Sequence, residues 1–352
     1  MKLNDVMRPG LLARMDMTGR KLYHEMGYSG QGMVVCVIDT GVVEHSELRG
    51  KLVGTAAPEA IHGKIMGHGT WCATLVAGEN IGAAPGAKIL PYARKDVYLE
   101  SVVEGLRFAR SWRGPAGERV NIVSLSVSSK QNYAGLSEEV KRCWDAGLLI
   151  VCSTGNDGIQ DVTFPASLPE TLAVGAATPA MQPVGWHTWG SMMDVIQLGE
   201  NVVVGSHTDP ADYLYQTGTS FAAPVVAGIC ALLGCRYLAQ NGKYPTPAWY
   251  METARFLAID VGVKGPDNKS GAGFLTLDPR MPALIEMQVG NRTMHINGIS
   301  TQLDQPPVID KDTWRTLVPV RAVSEAFGAD VTWDPDAQRI CIEGVRRMEV
   351  VR

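Results

Sequence analysis

Gly218-Thr219-Ser220-Phe221-Ala222-Ala223-Pro224 is the stretch on which the fold turns. It follows Asp212-Tyr213-Leu214-Tyr215-Gln216, which reads as a loop or short strand. It precedes Val225-Val226-Ala227-Gly228-Ile229-Cys230-Ala231-Leu232-Leu233, apolar almost throughout. A run that is apolar on all sides and longer than a usual strand predicts a buried helix. Ser220 is therefore expected at or just before a helix start. Free N–H groups and the positive dipole end gather there, which suits an alkoxide nucleophile and a developing oxyanion. Gly218 permits a tight turn and close approach of a ligand. Taken alone, a Thr-Ser pair before a helix reads as an N-cap.

Two further stretches shift that reading. Met33-Val34-Val35-Cys36-Val37-Ile38 is a continuous β-prone run ending at Asp39-Thr40-Gly41. It predicts a buried parallel strand that delivers a carboxylate at its C-terminal end, where open α/β sheets place their sites. Gly67-His68-Gly69-Thr70 opens a run of small and apolar residues reaching Gly78, which puts His68 at a helix start. Asp39, His68 and Ser220, in that chain order, are the parts of a nucleophilic triad. On these residues the chain resembles the subtilisin-like serine peptidases, or subtilases. Ser153-Thr154-Gly155-Asn156 adds a fourth match, and Ala83-Ala84-Pro85-Gly86 and Phe164-Pro165-Ala166-Ser167 are weaker echoes. The resemblance runs in order from about residue 15 to about residue 280.

The resemblance implies a doubly wound, mostly parallel α/β sheet and a serine endopeptidase. Ser220 would be the nucleophile, His68 the base, Asp39 its orienting partner and Asn156 an oxyanion donor. A protein or peptide substrate would lie as an added strand along Ser124, Leu125, Ser126 and Val127, and against Ser153, Thr154 and Gly155. Relatives commonly carry Gly-Gly where this chain has Ser126-Val127, so side chains there are expected to narrow the substrate pocket. His187 and His207 read as surface or loop histidines, since the triad already has its base. No cofactor or catalytic metal is required. The family often has a calcium-binding carboxylate near Glu47, but the loop Gly78-Glu79-Asn80-Ile81-Gly82 looks too short to wrap the ion. Glu47 is accordingly read as a surface acid, with calcium the lesser alternative. The rival from another class is a catalytically silent subtilase fold used for binding, against which stands the filling of all four chemical positions.

Bulk properties set the outer limits. At 352 residues the chain has room for one large domain and a small one. A net charge of −4 gives no general attraction for nucleic acid. No apolar run is read as long enough for a membrane span. The first ten residues lack a signal-peptide core, so synthesis in the cytoplasm is expected, with a later extracellular or wall-associated location left open. Seven cysteines cannot all pair; Cys36, Cys72, Cys143, Cys152 and Cys230 lie in apolar elements and read as buried thiols.

Residues 1–283 are assigned to the peptidase-like domain and 284–352 to a small α+β module. Leu317-Val318-Pro319-Val320-Arg321-Ala322 and Gly328-Ala329-Asp330-Val331-Thr332-Trp333-Asp334 resemble the stalk-type module named after the N-terminal domain of copper amine oxidases. Residues 316–329 are read as its helix. A lone His295 and a lone Cys341 offer no copper site. Such modules accompany wall-associated bacterial and phage proteins, which makes a cell wall or a protein the expected partner; a domain that only packs on its neighbour is the alternative.

Overall fold

The computed structural model describes residues 1–3, 18–54, 67–94, 98–277, 285–296, 299–313, 316–321, 330–334 and 339–343. The sequence readings at residues 4–14, 95–97, 279–282 and 322–329 fall outside these. Two compact units divide the chain, Met1–Leu277 and Asp278–Arg352.

The first unit is built on strands β1 (Val34–Asp39), β2 (Lys88–Ala93), β3 (Ile122–Leu125), β4 (Leu149–Ser153), β5 (Thr171–Ala177), β6 (Val195–Leu198), β9 (Ala258–Ile259) and β10 (Phe274–Leu275). They form one sheet in the order β2-β1-β3-β4-β5-β6-β10-β9, parallel except for the β9–β10 pair. A separate antiparallel hairpin pairs β7 (Val202–Gly205) with β8 (Tyr213–Gln216). All six residues of β1 are buried, as a parallel strand covered on both faces requires. Its side chains alternate between two layers. Val35 and Val37 pack with α2 (His68–Ala77) and α5 (Thr219–Asn241). Val34, Cys36 and Ile38 pack with α3 (Leu99–Ser111) and α4 (Ala134–Asp145). The remaining helices are α1 (Arg20–Glu25) and α6 (Pro247–Leu257). At the start of α6, Thr246 accepts the Trp249 N–H and Pro247 fills the first turn, so both start signals in the sequence are used.

Helix α5 corrects one expectation. It spans 23 residues, and an 18-residue window within it has a mean hydropathy of 1.7, long and apolar enough to cross a membrane. Yet 83% of that window is buried inside the unit, against the sheet, so it is a core helix. Strand β3 stops at Leu125, so Ser126 and Val127 lie beyond it. Cys36, Cys72, Cys143, Cys152 and Cys230 are free and buried, as is Cys235.

The described part of the second unit is antiparallel. Strands β11 (Ile285–Met287), β12 (Thr293–Ile296) and β13 (Ile299–Gln302) form a meander. Two hairpins follow, β14 (Val308–Ile309) with β15 (Thr316–Leu317), and β16 (Asp330–Asp334) with β17 (Arg339–Glu343). Thr316 and Leu317 thus pair as a strand where the sequence suggested a helix, since the β-branched Thr316 and the Pro two residues after Leu317 favour extended backbone. Val318 and Val320 are 45% and 42% exposed.

Candidate active site

Strand β1 ends in Asp39 and helix α2 begins with His68, so the two meet where the strand hands over to the loops. His68 Nδ1 lies 2.9 Å from each Asp39 carboxylate oxygen. Thr40 N–H donates to Asp39 Oδ1 at 2.7 Å, and Gly69 N–H donates to Thr40 Oγ1 at 3.0 Å, which stitches the helix start to the strand end. Burial opposes charge on Asp39, but His68, the Thr40 N–H and Arg94 outweigh it and hold the carboxyl below its ordinary range. Burial likewise opposes the imidazolium, and Asp39 outweighs it, raising His68 well above the ordinary imidazole value. With Nδ1 committed to Asp39, Nε2 is left for chemistry. The His68 side chain is 25% exposed while that of Asp39 is 4% exposed, so the pair presents one edge of the ring outward.

Gly218 is the N-cap of α5 and Ser220 lies in its first turn, where N–H groups have no intrahelical acceptor. The N-cap role therefore falls to Gly218, which leaves the Ser220 hydroxyl uncommitted: among the described residues Ser220 Oγ makes no hydrogen bond, to His68 or to any other group. Asn156 Oδ1 accepts from the Thr219 N–H and from Thr219 Oγ1, both at 2.9 Å. A backbone donor demands the oxygen, so the orientation of the carboxamide is fixed and Nδ2 is free to face a ligand. Pro224 has no N–H to offer the Ser220 carbonyl four residues earlier. Ser126 Oγ donates to that carbonyl at 2.8 Å and the Cys72 thiol at 3.4 Å. Burial pushes the Cys72 thiol up, so it stays a neutral donor. Its sulfur is 3.8 Å from His68 Nδ1.

The expected substrate wall is largely interior. Ser124, Leu125, Ser153 and Thr154 are 1%, 0%, 2% and 0% exposed, and Gly155 is buried. Ser126 and Val127, just past the end of β3, are partly exposed. Asn156 is exposed beside them in sequence order after Gly155.

Residues 30–273 match the subtilase family. The chain belongs to the subtilase family. This subtilase is 30% identical over 271 residues to subtilisin BL of Lederbergia lenta, covering 72% of its own chain and 93% of the relative. It is 32% identical over 228 residues to a thermostable alkaline protease of Halalkalibacterium halodurans, covering 61% of its own chain and spanning only 60% of that protein's length. Among solved structures, the prenylagaramide maturation protease PagA aligns with a TM-score of 0.61 at 24% identity, over 73% of this chain and 95% of that one, a likeness of fold. Residues 280–342 match the copper amine oxidase N-terminal domain. Within that module His295 pairs in register with Glu286 and Cys341 with Thr332, in different sheets.

Burial overturns the reading of Glu47 and the surface half of the reading of His187. Glu47 is not a surface acid: it is 1% exposed. Its carboxylate accepts from the Asn80 N–H at 2.7 Å, Asn80 Nδ2 at 2.9 Å, the Ile81 N–H at 3.2 Å and the Tyr213 hydroxyl at 2.5 Å. The carbonyls of the same short loop are also taken: Arg20 donates to Asn80 O and Gly82 O, and Lys51 to Ala77 O. These donors and acceptors occupy the oxygens a calcium ion would need, so the residues around Gly78–Gly82 do not fit that ion. His187 lies in a loop, one of the two places expected, but not at the surface: it is 1% exposed. Burial pushes its imidazole down to about 4. Elsewhere among the described residues, the one group of three metal-ligating side chains is Asp39, His68 and Cys72, whose donor atoms lie within 4.8 Å of one another.

Sequence reasoning did not single out Cys72, Ser126 or Thr219 as supports of the site. Cys72 was within reach of a pattern argument, since it sits four residues after His68 on the same helix face. Thr219 contacts Asn156 across 63 residues, and no local periodicity reports such a contact.

Proposed function

We propose that this subtilase is a serine endopeptidase. Ser220 Oγ attacks a peptide carbonyl, and His68 Nε2 takes its proton and returns it to the leaving amine. Asp39 fixes the imidazole tautomer and stabilises its cation. Asn156 Nδ2 and the Ser220 N–H hold the oxyanion. The observation that carries this reading is the buried, two-pronged Asp39–His68 contact at 2.9 Å, because it leaves His68 with a single outward nitrogen of raised basicity. A hydroxyl without a hydrogen bond to that nitrogen is compatible with the role, as such contacts tighten in the substrate complex. The similar alkaline protease and subtilisin support peptide-bond hydrolysis as the reaction.

No organic cofactor enters this mechanism, and the loop Gly78–Gly82 is held by Glu47, Arg20 and Lys51 instead of by calcium. The substrate is a protein or peptide, met first by Ser126 and Val127. For the second unit, contact with a cell wall or a partner protein is the role that fits a module joined to a self-contained enzyme. The test of the catalytic reading is a fluorophosphonate probe. Labelling of wild type at Ser220, absent in Ser220→Ala, is the expected result. Folded wild-type protein that resists the probe would instead mark a silent, binding member of the family.

A further inference from the structure

Asn156 can serve an oxyanion only if its carboxamide nitrogen is aimed, and that aim depends on backbone held from outside its own turn. Oδ1 is pinned by Thr219, which fixes one end of the side chain. The other end is set by where the backbone places the Asn156 Cα. Two hydrogen bonds bracket that position, and both involve Thr188. The Thr188 N–H donates to Gly155 O at 2.9 Å, and Thr188 Oγ1 accepts the Asp157 N–H at 3.1 Å. One residue therefore grips the peptide groups on either side of Asn156. Gly155 has φ +108°, and a Cβ there would stand 3.0 Å from Thr188 Oγ1 and from Thr163 Cγ2. The turn is thus pressed directly onto its support.

The support is itself anchored. Thr188 is 0% exposed and His187 is 1% exposed. His187 Nδ1 accepts the Ala176 N–H of β5 at 3.0 Å. Gly175 makes room for that approach, since a Cβ there would lie 2.9 Å from Nδ1. Farther along, the Trp189 N–H donates to Ile159 O at 3.0 Å. Because Nδ1 accepts a hydrogen bond, the neutral ring carries its proton on Nε2, and that buried N–H has no partner among the described residues. An unpaired buried donor is unfavourable, so the anchor is kept despite a local penalty, which points to a function for the segment it holds.

We propose that Thr188 is a positioning residue for the oxyanion asparagine, clamped to the central sheet through His187. The proposal rests on the reading of Asn156 as an oxyanion donor. Thr188→Val keeps the shape but cannot accept the Asp157 N–H, whereas Thr188→Ser can. On a short peptide ester, Thr188→Val is expected to lower kcat about 10- to 100-fold with KM within about twofold. Thr188→Ser should restore kcat to within about threefold of wild type. In an Asn156→Ala background, Thr188→Val should cost nothing further, because it acts only through Asn156. A kcat near wild type in Thr188→Val, or an equal loss in the Asn156→Ala background, overturns the proposal. A second readout is independent of turnover: the side-chain amide signals of Asn156 in nitrogen-15 spectra. They should be sharp and slowly exchanging in wild type and averaged in Thr188→Val. Unchanged Asn156 signals in the variant overturn the clamp even if the protein hydrolyses nothing. Loss of order at Asn156 in a protein without peptidase activity would keep the clamp and remove the catalytic reading instead.

Discussion

Replacing Glu47 by alanine should unfold the first unit at a much lower temperature. The carboxylate is 1% exposed and accepts from three partners in two distant parts of the chain. Alanine strands the Asn80 and Ile81 N–H groups and the Tyr213 hydroxyl in a buried space. Each unmet donor costs about 1–3 kcal/mol. Water entering the vacated volume recovers part of that, which leaves a net loss of about 3–5 kcal/mol. For a domain of this size each kcal/mol moves the midpoint by about 2–4 °C, so the expected fall is about 6–20 °C. The assay is a thermal melt followed by circular dichroism, with Glu47→Gln beside Glu47→Ala. Glutamine keeps the volume but turns one acceptor into a donor, so it should also destabilise, by less. A fall below about 3 °C for Glu47→Ala would mean that the loop does not depend on these bonds. Wild type should meanwhile be little affected by chelators; a chelator-induced fall of more than about 10 °C, beyond what one or two kcal/mol can cause, would refute the assignment of the loop to protein ligands.

Asn156→Ala is expected to fold normally and to lose about 10²–10³-fold in kcat, the loss known for removal of an oxyanion donor in a subtilisin; near wild-type kcat on a peptide substrate would remove its role. His187 should make stability fall with acid. Its folded value is depressed to about 4 from an ordinary 6.5, so the unfolded chain binds the extra proton first; stability is full above pH 6.5 and is lost as pH falls toward 4. The difference between pH 7 and pH 5 is about 2 kcal/mol by linkage, measurable as a shift in urea midpoint that His187→Asn should abolish. A chain ending near Arg280 should cleave short peptides with a kcat/KM close to that of the full chain, since Asp39, His68, Asn156 and Ser220 all lie in the first unit; a truncated protein that is folded by circular dichroism but inactive would tie the second unit to the site.

The elements that organise the site were legible because they repeat a simple pattern. Strand β1 is one apolar run ended by an aspartate, and α5 is one apolar run opened by Gly218-Thr219-Ser220, so hydrophobicity and punctuation sufficed. Chain order did the rest for Asp39, His68 and Ser220. What escaped notice was set by contacts between distant segments. Glu47 looks like any charged residue in a loop, and only Tyr213, 166 residues away, together with the folded turn at Asn80, makes it interior. His187 is polar and lies outside any periodic element, yet Gly175 opens a slot for it in the sheet. Ser124 and Leu125 were placed at the substrate edge by analogy, whereas β3 carries them inside the core and only releases the backbone at Ser126.

Helix α5 has a consequence for how the molecule is made. It follows β1 through β8 in the sequence, yet it packs beneath β1, β3, β4, β5 and β6. Until residues 219–241 leave the ribosome, one face of those strands has only α2 (His68–Ala77) to cover part of it. The apolar side chains of β1, which ends at Asp39, wait through most of synthesis for α5, whereas those of β6, which ends at Leu198, wait only briefly. A topology so dominated by distant pairings folds slowly and exposes strand surface while it does so. The same helix carries Ser220, the proposed nucleophile, and only Tyr250, Met251, Ala254, Ala258, Leu275 and Leu277 join the buried core on that face after it. On the proposed reading, a growing chain therefore does not carry its nucleophile until the segment that covers most of that face has been made.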